Sequence, residues 1–214
     1  FPGRGECYSA FKWHWYHFSG VDYDNLTGDK GVFRILGDGK GWALGVDGEN
    51  GNYDYLLACD IDVANEDVAN ELCAWGRWAV KTFGFDGFRM DAVKHIDYNF
   101  TARFLSSVRE GAGDKFYAVS EYWSQELDTL KEFQAKTGGC TDLFDVPLHF
   151  NFFEASEKGE DYDMSTLLAG TLVEAAPCHA VTFVDNHDSQ PDSSLQSNVQ
   201  DWFKPLAYAL ILLM

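Results

Sequence analysis

The stretch Gly87-Phe88-Arg89-Met90-Asp91-Ala92-Val93-Lys94-His95, GFRMDAVKH, decides how the whole chain is read. A strand sends alternate side chains to opposite faces, so Phe88, Met90 and Ala92 share one face and Arg89 and Asp91 the other. A half-solvated edge strand would explain the alternation by itself. The neighbouring sequence argues against that reading.

Upstream, Val68, Leu72, Trp75 and Ala79 mark one face of a helix that stops near Gly84. Downstream, Phe100, Phe104, Leu105 and Val108 mark a second helix, ended by Gly111. Strand KFYAVSE (115–121) follows, then a helix with Leu127, Leu130 and Phe133 that ends at Gly138-Gly139. Strand DLFDV (142–146), a helix around 163–173, strand AVTFVD (180–185) and a last helix from about 197 complete the series. Strands alternating with helices imply an α/β fold of right-handed βαβ units. Four such strands suit part of a doubly wound sheet or about half of a (β/α)8 TIM barrel. Residues 1–60 differ: they lack clean periodicity and carry turn signals at Gly37-Asp38-Gly39 and Asp47-Gly48.

The 214 residues are 46% hydrophobic and 16% aromatic, enough to bury a substantial core. With 34 acidic and 16 basic residues the formal charge is −18, which repels phosphate backbones and anionic lipid. Nucleic acid and membrane surfaces are poor partners for such a chain; a neutral molecule or polymer is an easier one. Its apolar runs fall short of the ~20 residues of a membrane span. The five cysteines, Cys7, Cys59, Cys73, Cys140 and Cys178, show neither a disulfide framework nor a zinc pattern. They read as free, mostly buried thiols in a reducing compartment. Both ends of the chain read as interruptions rather than natural termini.

Three strands finish in loaded clusters: Arg89 to His95, Ser120-Glu121-Tyr122-Trp123, and Asp185-Asn186-His187-Asp188. Strand DLFDV carries Asp145 but reads as structural. In a parallel α/β fold the carboxyl ends of strands line one pocket-bearing face, so Asp91, Glu121 and Asp188 can converge. Arg89 beside Asp91 is expected to keep it ionised, while Glu121 beside Tyr122 and Trp123 is expected to hold its proton longer. One ionised and one protonated carboxyl are what glycosidic cleavage needs. Trp123 could stack on a sugar, and His95 and His187 could donate to its hydroxyls. A lone Arg/Asp pair is more often a structural ion pair, and clustered Asp and His also suit a metal hydrolase; at these strand ends no HExxH or other close-spaced His pair supports the latter.

At these residues the chain resembles the family 13 glycoside hydrolases, the α-amylase family. GFRMDAVKH is similar to its second sequence region, SEYW to its third and FVDNHD to its fourth, with Glu121 30 residues after Asp91 and Asp188 67 after Glu121. GENGNYDYLLACDID, FDVPLHF and WFKPLAYALILL also resemble the bacterial liquefying and cytoplasmic members. The resemblance implies a partial (β/α)8 barrel, about strands 4 to 7, over residues 61–214. It implies an irregular, β-rich domain B over residues 1–60. It implies endo-acting, retaining hydrolysis of α-1,4-glucosidic bonds, with Asp91 as nucleophile, Glu121 as acid/base and Asp188 binding sugar hydroxyls, helped by His187. Arg89 would orient Asp91, and Lys94, His95 and Trp123 would line subsites. Retention implies carboxyls about 5–5.5 Å apart.

Asp54, Asp60 and the main-chain carbonyl of His95 match the ligands of one structural calcium, an oxygen-only set. A second metal cluster is doubtful, because Ala43 and Ala64 stand where other members use aspartates. An α-glucan substrate, a monomer and a cytoplasmic location are implied, with secretion as the alternative. The competing readings are a transglycosidase or isomerase of the same family, or a non-catalytic glucan- or partner-binding relative. The 214-residue chain alone is expected to be inactive, since it cannot close an eight-stranded barrel.

Overall fold

The computed structural model describes residues 10–49 and 56–213. Its contacts divide the chain into two compact units, one of Phe1–Phe88 with Val93–Tyr117 and one of Arg89–Ala92 with Ala118–Met214.

The first unit holds an antiparallel sheet of order β2-β1-β3, made of β1 (Phe18–Tyr23), β2 (Lys30–Arg34) and β3 (Cys59–Ile61). Helix α1 (Glu66–Phe83) follows, capped at its start by Asn65, whose side chain accepts from Asp67 N and Val68 N. Gly84 ends it in the left-handed conformation, φ 68°, where a glycine is unstrained. Strand β4 (Gly87–Met90) begins in this unit, with Phe88 packed on Phe104 and Phe116. Helix α2 (Tyr98–Ala112) lies against α1. The approach is close enough that a Cβ on Gly76 would meet Phe104 at 2.7 Å and Val108 at 2.9 Å. Any larger residue there would force the two helices apart.

The second unit carries the end of β4, then β5 (Tyr117–Ser120), α3 (Leu127–Lys136), β6 (Asp142–Phe144), α4 (Val146–Lys158), α5 (Leu172–Ala175), β7 (Ala180–Val181) and α6 (Lys204–Leu213). The four strands form one sheet in the order β4-β5-β6-β7. β5 pairs parallel with β6 (Ser120 opposite Leu143), and β6 with β7 (Phe144 opposite Val181). Strand after strand in chain order, each parallel pair joined by a helix, is the pattern of consecutive βα units of a barrel. Leu148, Phe152, Ala155, Leu167, Val184, Val199, Phe203 and Ala207 form this unit's core. Each large side chain so buried contributes about 1.5–3 kcal/mol.

The structure departs from the sequence reading at five places. Helix α4 was not expected: Asp145 and Val146 had read as the close of strand DLFDV, but Asp145 caps a helix with Pro147 in its first turn, where a missing N–H costs nothing. The helix expected around 163–173 is instead a 3-10 turn at Met164–Thr166 and one short α-helical turn, α5. Strand 180–185 is only two residues long, and the last helix starts at Lys204 rather than near 197. Finally, β4 lies at an edge of the sheet, so Asp91 is 67% exposed rather than buried.

Cys59, Cys73, Cys140 and Cys178 are in no disulfide, and Cys7 lies outside the described residues. The thiols are less buried than expected, since only Cys73 is fully so and Cys59 and Cys178 are exposed. Among the described residues no helix is long and apolar enough to cross a membrane.

Candidate active site

In the second unit the parallel ladder brings the ends of β4 and β5 together. Glu121 N donates to Met90 O at 2.8 Å, which sets the residue after β5 beside the residue after β4. Arg89 then reaches both carboxylates: its guanidinium lies 2.5 Å from Asp91 Oδ1 and 3.0 Å from Glu121 Oε1. Ala92 N donates to the other oxygen, Glu121 Oε2, at 3.2 Å. To aim that N–H inward, Ala92 adopts a left-handed backbone, φ 47°, which is strained for any residue with a Cβ.

The two carboxyls differ in surroundings. Asp91 is two-thirds exposed, whereas the Glu121 side chain is 6% exposed. Burial pushes the Glu121 carboxyl above its ordinary value, against the pull of the Ala92 N–H and the Arg89 cation; the neighbouring Asp91 adds to the rise. One partner is a solvated carboxylate with a cation on it, and the other is a buried carboxyl inclined to keep its proton. An ion pair that served only to hold the strand would not need the second acid.

Glu121 opens on a cavity of about 140 Å³ lined by Arg89, Trp123, Phe144, Phe183, Asp185, Asn186 and His187. This is below the ~300 Å³ at which pockets for whole small molecules begin, so it suits part of a ligand. Its wall is aromatic. Phe183 stacks on the buried His149 at 5.0 Å, Trp123 leans on both, and Arg89 sits 6.0 Å over the Phe144 ring. His149 is clamped by Val184 O (2.6 Å) and Ser197 Oγ (2.9 Å), and burial lowers its pKa.

Of the residues singled out from sequence, Arg89, Glu121, Trp123 and His187 line this cavity, and Asp91 joins it through Arg89. Asp188 is adjacent but does not line it; its carboxylate faces His187 Nε2 at 3.3 Å. Lys94 and His95 belong to the first unit, where Lys94 Nζ bonds Glu49 Oε2 at 2.9 Å and His95 Nε2 lies 3.9 Å from Glu49 Oε1. Phe144, Phe183, His149 and Asn186 were not singled out as site residues. The three rings carried no signal, being ordinary apolar or core positions in sequence. Asn186 sat inside a cluster already noted, overshadowed by its charged neighbours.

Asp54 lies outside the described residues. Asp60 stands in β3 opposite Gly20. Asp62 holds the Lys40 ammonium at 2.5 Å, with Tyr16 O as the second acceptor, so a lysine charge satisfies that carboxylate. Among the described residues no three His, Cys, Asp or Glu side chains group as a cation site.

Comparison with known proteins gives a consistent picture. The chain is 51% identical over 213 residues to a glucan 1,4-α-maltohexaosidase of Bacillus sp. strain 707, covering 99% of the chain and 41% of that protein. It is 48% identical over 215 residues to a cytoplasmic α-amylase of Escherichia coli K12, covering all of the chain and 43% of the relative. It thus spans less than half the length of these curated relatives. Among solved structures, a cyclic α-maltosyl-(1→6)-maltose hydrolase of Arthrobacter globiformis superposes with a TM-score of 0.58 at 19% identity, over 94% of this chain and 42% of that one. At that identity the likeness speaks for the fold alone. No family model matches the chain.

Proposed function

Because the chain belongs to the α-amylase family, we propose that its second unit carries the catalytic carboxylates of an endo-acting, retaining α-1,4-glucan hydrolase. The observation that carries the reading is one guanidinium, that of Arg89, bonded to both an exposed Asp91 and a buried Glu121.

Glu121 gives its proton to the glycosidic oxygen as that oxygen leaves the anomeric carbon. Asp91 Oδ forms the new bond to that carbon from the other side of the ring. The Glu121 carboxylate, left deprotonated, then takes a proton from water. The water oxygen bonds the anomeric carbon, and the bond to Asp91 breaks. Two inversions retain configuration. Burial supports Glu121 as the acid, because its first act requires the protonated form at a pH where an ordinary glutamate is ionised. Trp123 offers the sugar an apolar face, and His187 with Asp188 offers donor and acceptor to its hydroxyls. Lys94 and His95 would serve neighbouring subsites.

Residues 1–60 are assigned to a β-rich excursion, domain B, and 61–214 to the barrel. The three-stranded antiparallel sheet of β1, β2 and β3 supports this, with β3 at the junction. Among the described residues no three acidic, His or Cys side chains group around a cation, and Asp54 lies outside them. Asp54, Asp60 and the His95 carbonyl remain the oxygens assigned to calcium, for a structural rather than a chemical role. The four cysteines among the described residues, none in a disulfide, suit the reducing cytoplasm, where a monomer would act on storage glucan.

The test is Glu121→Gln in the full-length protein, assayed on soluble starch by reducing ends, with the anomer of the first product read by NMR. A loss of at least about 10³-fold in kcat and an α-anomer from the wild type are expected. Starch cleavage that survives the substitution rejects the assignment.

A further inference from the structure

The loop after β7 reaches Glu121 through a residue to which no role has been given. Asn186 Nδ2 donates to Glu121 Oε1 at 3.4 Å. Its Oδ1 accepts from Asp188 N at 3.0 Å and from Ser189 N at 2.8 Å, and its own N donates to Ser189 Oγ at 3.0 Å. These bonds fix which way the amide points. Two backbone N–H groups require an acceptor, so the oxygen must face the loop and the NH2 must face Glu121. A flipped amide would set donor against donor twice.

The two Glu121 oxygens are therefore inequivalent. Oε1 takes a cation, Arg89, and an amide, Asn186; Oε2 takes the Ala92 N–H, and the Asp91 carboxyl also lies within hydrogen-bonding reach of Glu121. A proton on Oε1 would have to share that oxygen with both donors. A proton on Oε2 leaves a lone pair for Ala92 and an O–H directed elsewhere. We propose that Asn186 is a positioning residue, which ties the 185–189 loop to the acid/base and reserves Glu121 Oε2 as the oxygen that carries the transferred proton. The proposal rests on the hydrolase reading above.

The charged groups around Glu121 are Arg89 and Asp91 from the end of β4, with Asp185 and His187 lining the same cavity. Neither Asp91 nor Asp185 can donate as the amide does, and Arg89 already serves both acids. Among the described residues the Asn186 amide has one end on the loop and the other on Glu121.

Asn186→Asp separates the two ends. It keeps an oxygen for the Asp188 and Ser189 N–H groups but replaces the donor facing Glu121 with a carboxylate. In the full-length protein a mere loop-capping role predicts a wild-type pH profile. The positioning role predicts an alkaline limb of kcat/KM moved up by about one pH unit and a kcat lowered at least about 10-fold, with KM within about threefold. The sign follows from the acid: removing a donor and adding a negative charge both favour protonated Glu121, and the limb is its loss of that proton. Asn186→Ser can still cap the loop but is too short to reach Glu121, and serves if the aspartate variant fails to fold. Its limb should move the same way by less. A wild-type profile in either folded variant overturns the proposal. Glu121→Gln run alongside distinguishes the failures, since activity surviving there overturns the hydrolase reading and this proposal with it. An inactive Glu121→Gln beside a wild-type-like Asn186→Asp overturns this proposal alone.

Discussion

At the scale of single residues, the site stores its strain at Ala92. A non-glycine residue at φ 47° costs of order 1–3 kcal/mol, and the cost is met because its N–H lands on Glu121 Oε2. Ala92→Gly relieves the clash of the Cβ without touching the N–H, so stability should hold within about 1 kcal/mol and activity within a few-fold. A β-branched side chain fits the left-handed region far worse, so Ala92→Val should cost about 1–3 kcal/mol and lower kcat together with it. Urea unfolding and starch kinetics on the two full-length variants check this, and a valine variant equal to wild type in both would refute it. Sequence alone could place Ala92 only by its period, on the apolar face of the strand. The positive φ was not legible, because it answers to a carboxylate 29 residues later rather than to any neighbour. The same holds for Asn186, whose contact with Glu121 spans 65 residues. Arg89, Asp91 and Glu121 stood out in the sequence because they sit at the ends of two locally readable strands, β4 and β5.

At the scale of elements, the least legible feature is also the best anchored. Asp145 is fully buried, and its carboxylate accepts Leu148 N at 3.1 Å, Leu172 N at 3.0 Å and Val173 N at 2.7 Å. One side chain thus caps α4 and meets the first turn of α5, where the positive ends of helix dipoles favour an anion. Burial pushes its carboxyl up while the three N–H groups pull it down. Helix α4 escaped the sequence reading because Leu148, Phe150, Phe152 and Phe153 blur the helical period, and Pro147 looks like an ending. Read as a proline in the first turn after a capping aspartate, the same residues announce a beginning. Asp145→Ala strands three buried N–H groups and should cost about 2–4 kcal/mol in chemical unfolding of the full-length protein. Asp145→Asn keeps one acceptor oxygen and should recover part of that loss. A cost below about 1 kcal/mol for the alanine variant would mean that water, not Asp145, satisfies those groups. Because α4 also carries His149, which backs Phe183 and Trp123, its displacement should raise KM as well.

At the scale of the whole molecule, the sheet has two ends, β4 and β7, and Asp91, the proposed nucleophile, stands beside one of them. The sequence flanking GFRMDAVKH had argued against an edge strand, yet β4 is one among the described residues, and Asp91 is 67% exposed. Periodicity reports the faces of a strand, not its neighbours, so the sequence could show which side chains share a face and could not show how many strands lie beside them. Other surfaces tell the same story. On α1, Trp75 is 52% and Trp78 41% exposed, and on α6, Leu212 is 77% and Leu213 85% exposed. Large apolar groups on barrel helices ordinarily lie against neighbouring helices, and an eight-stranded barrel supplies those neighbours and closes both edges. The 214-residue chain made alone should therefore be inactive on starch and should bind a hydrophobic dye, although it holds Arg89, Asp91, Glu121 and Asp188. An exposed Asp91 in water is no longer fixed against a substrate, and losing placement by an ångström can cost about 10²-fold in rate. Starch turnover by the purified 214-residue chain, abolished in its own Glu121→Gln variant, would show that four strands suffice to hold the pair in place.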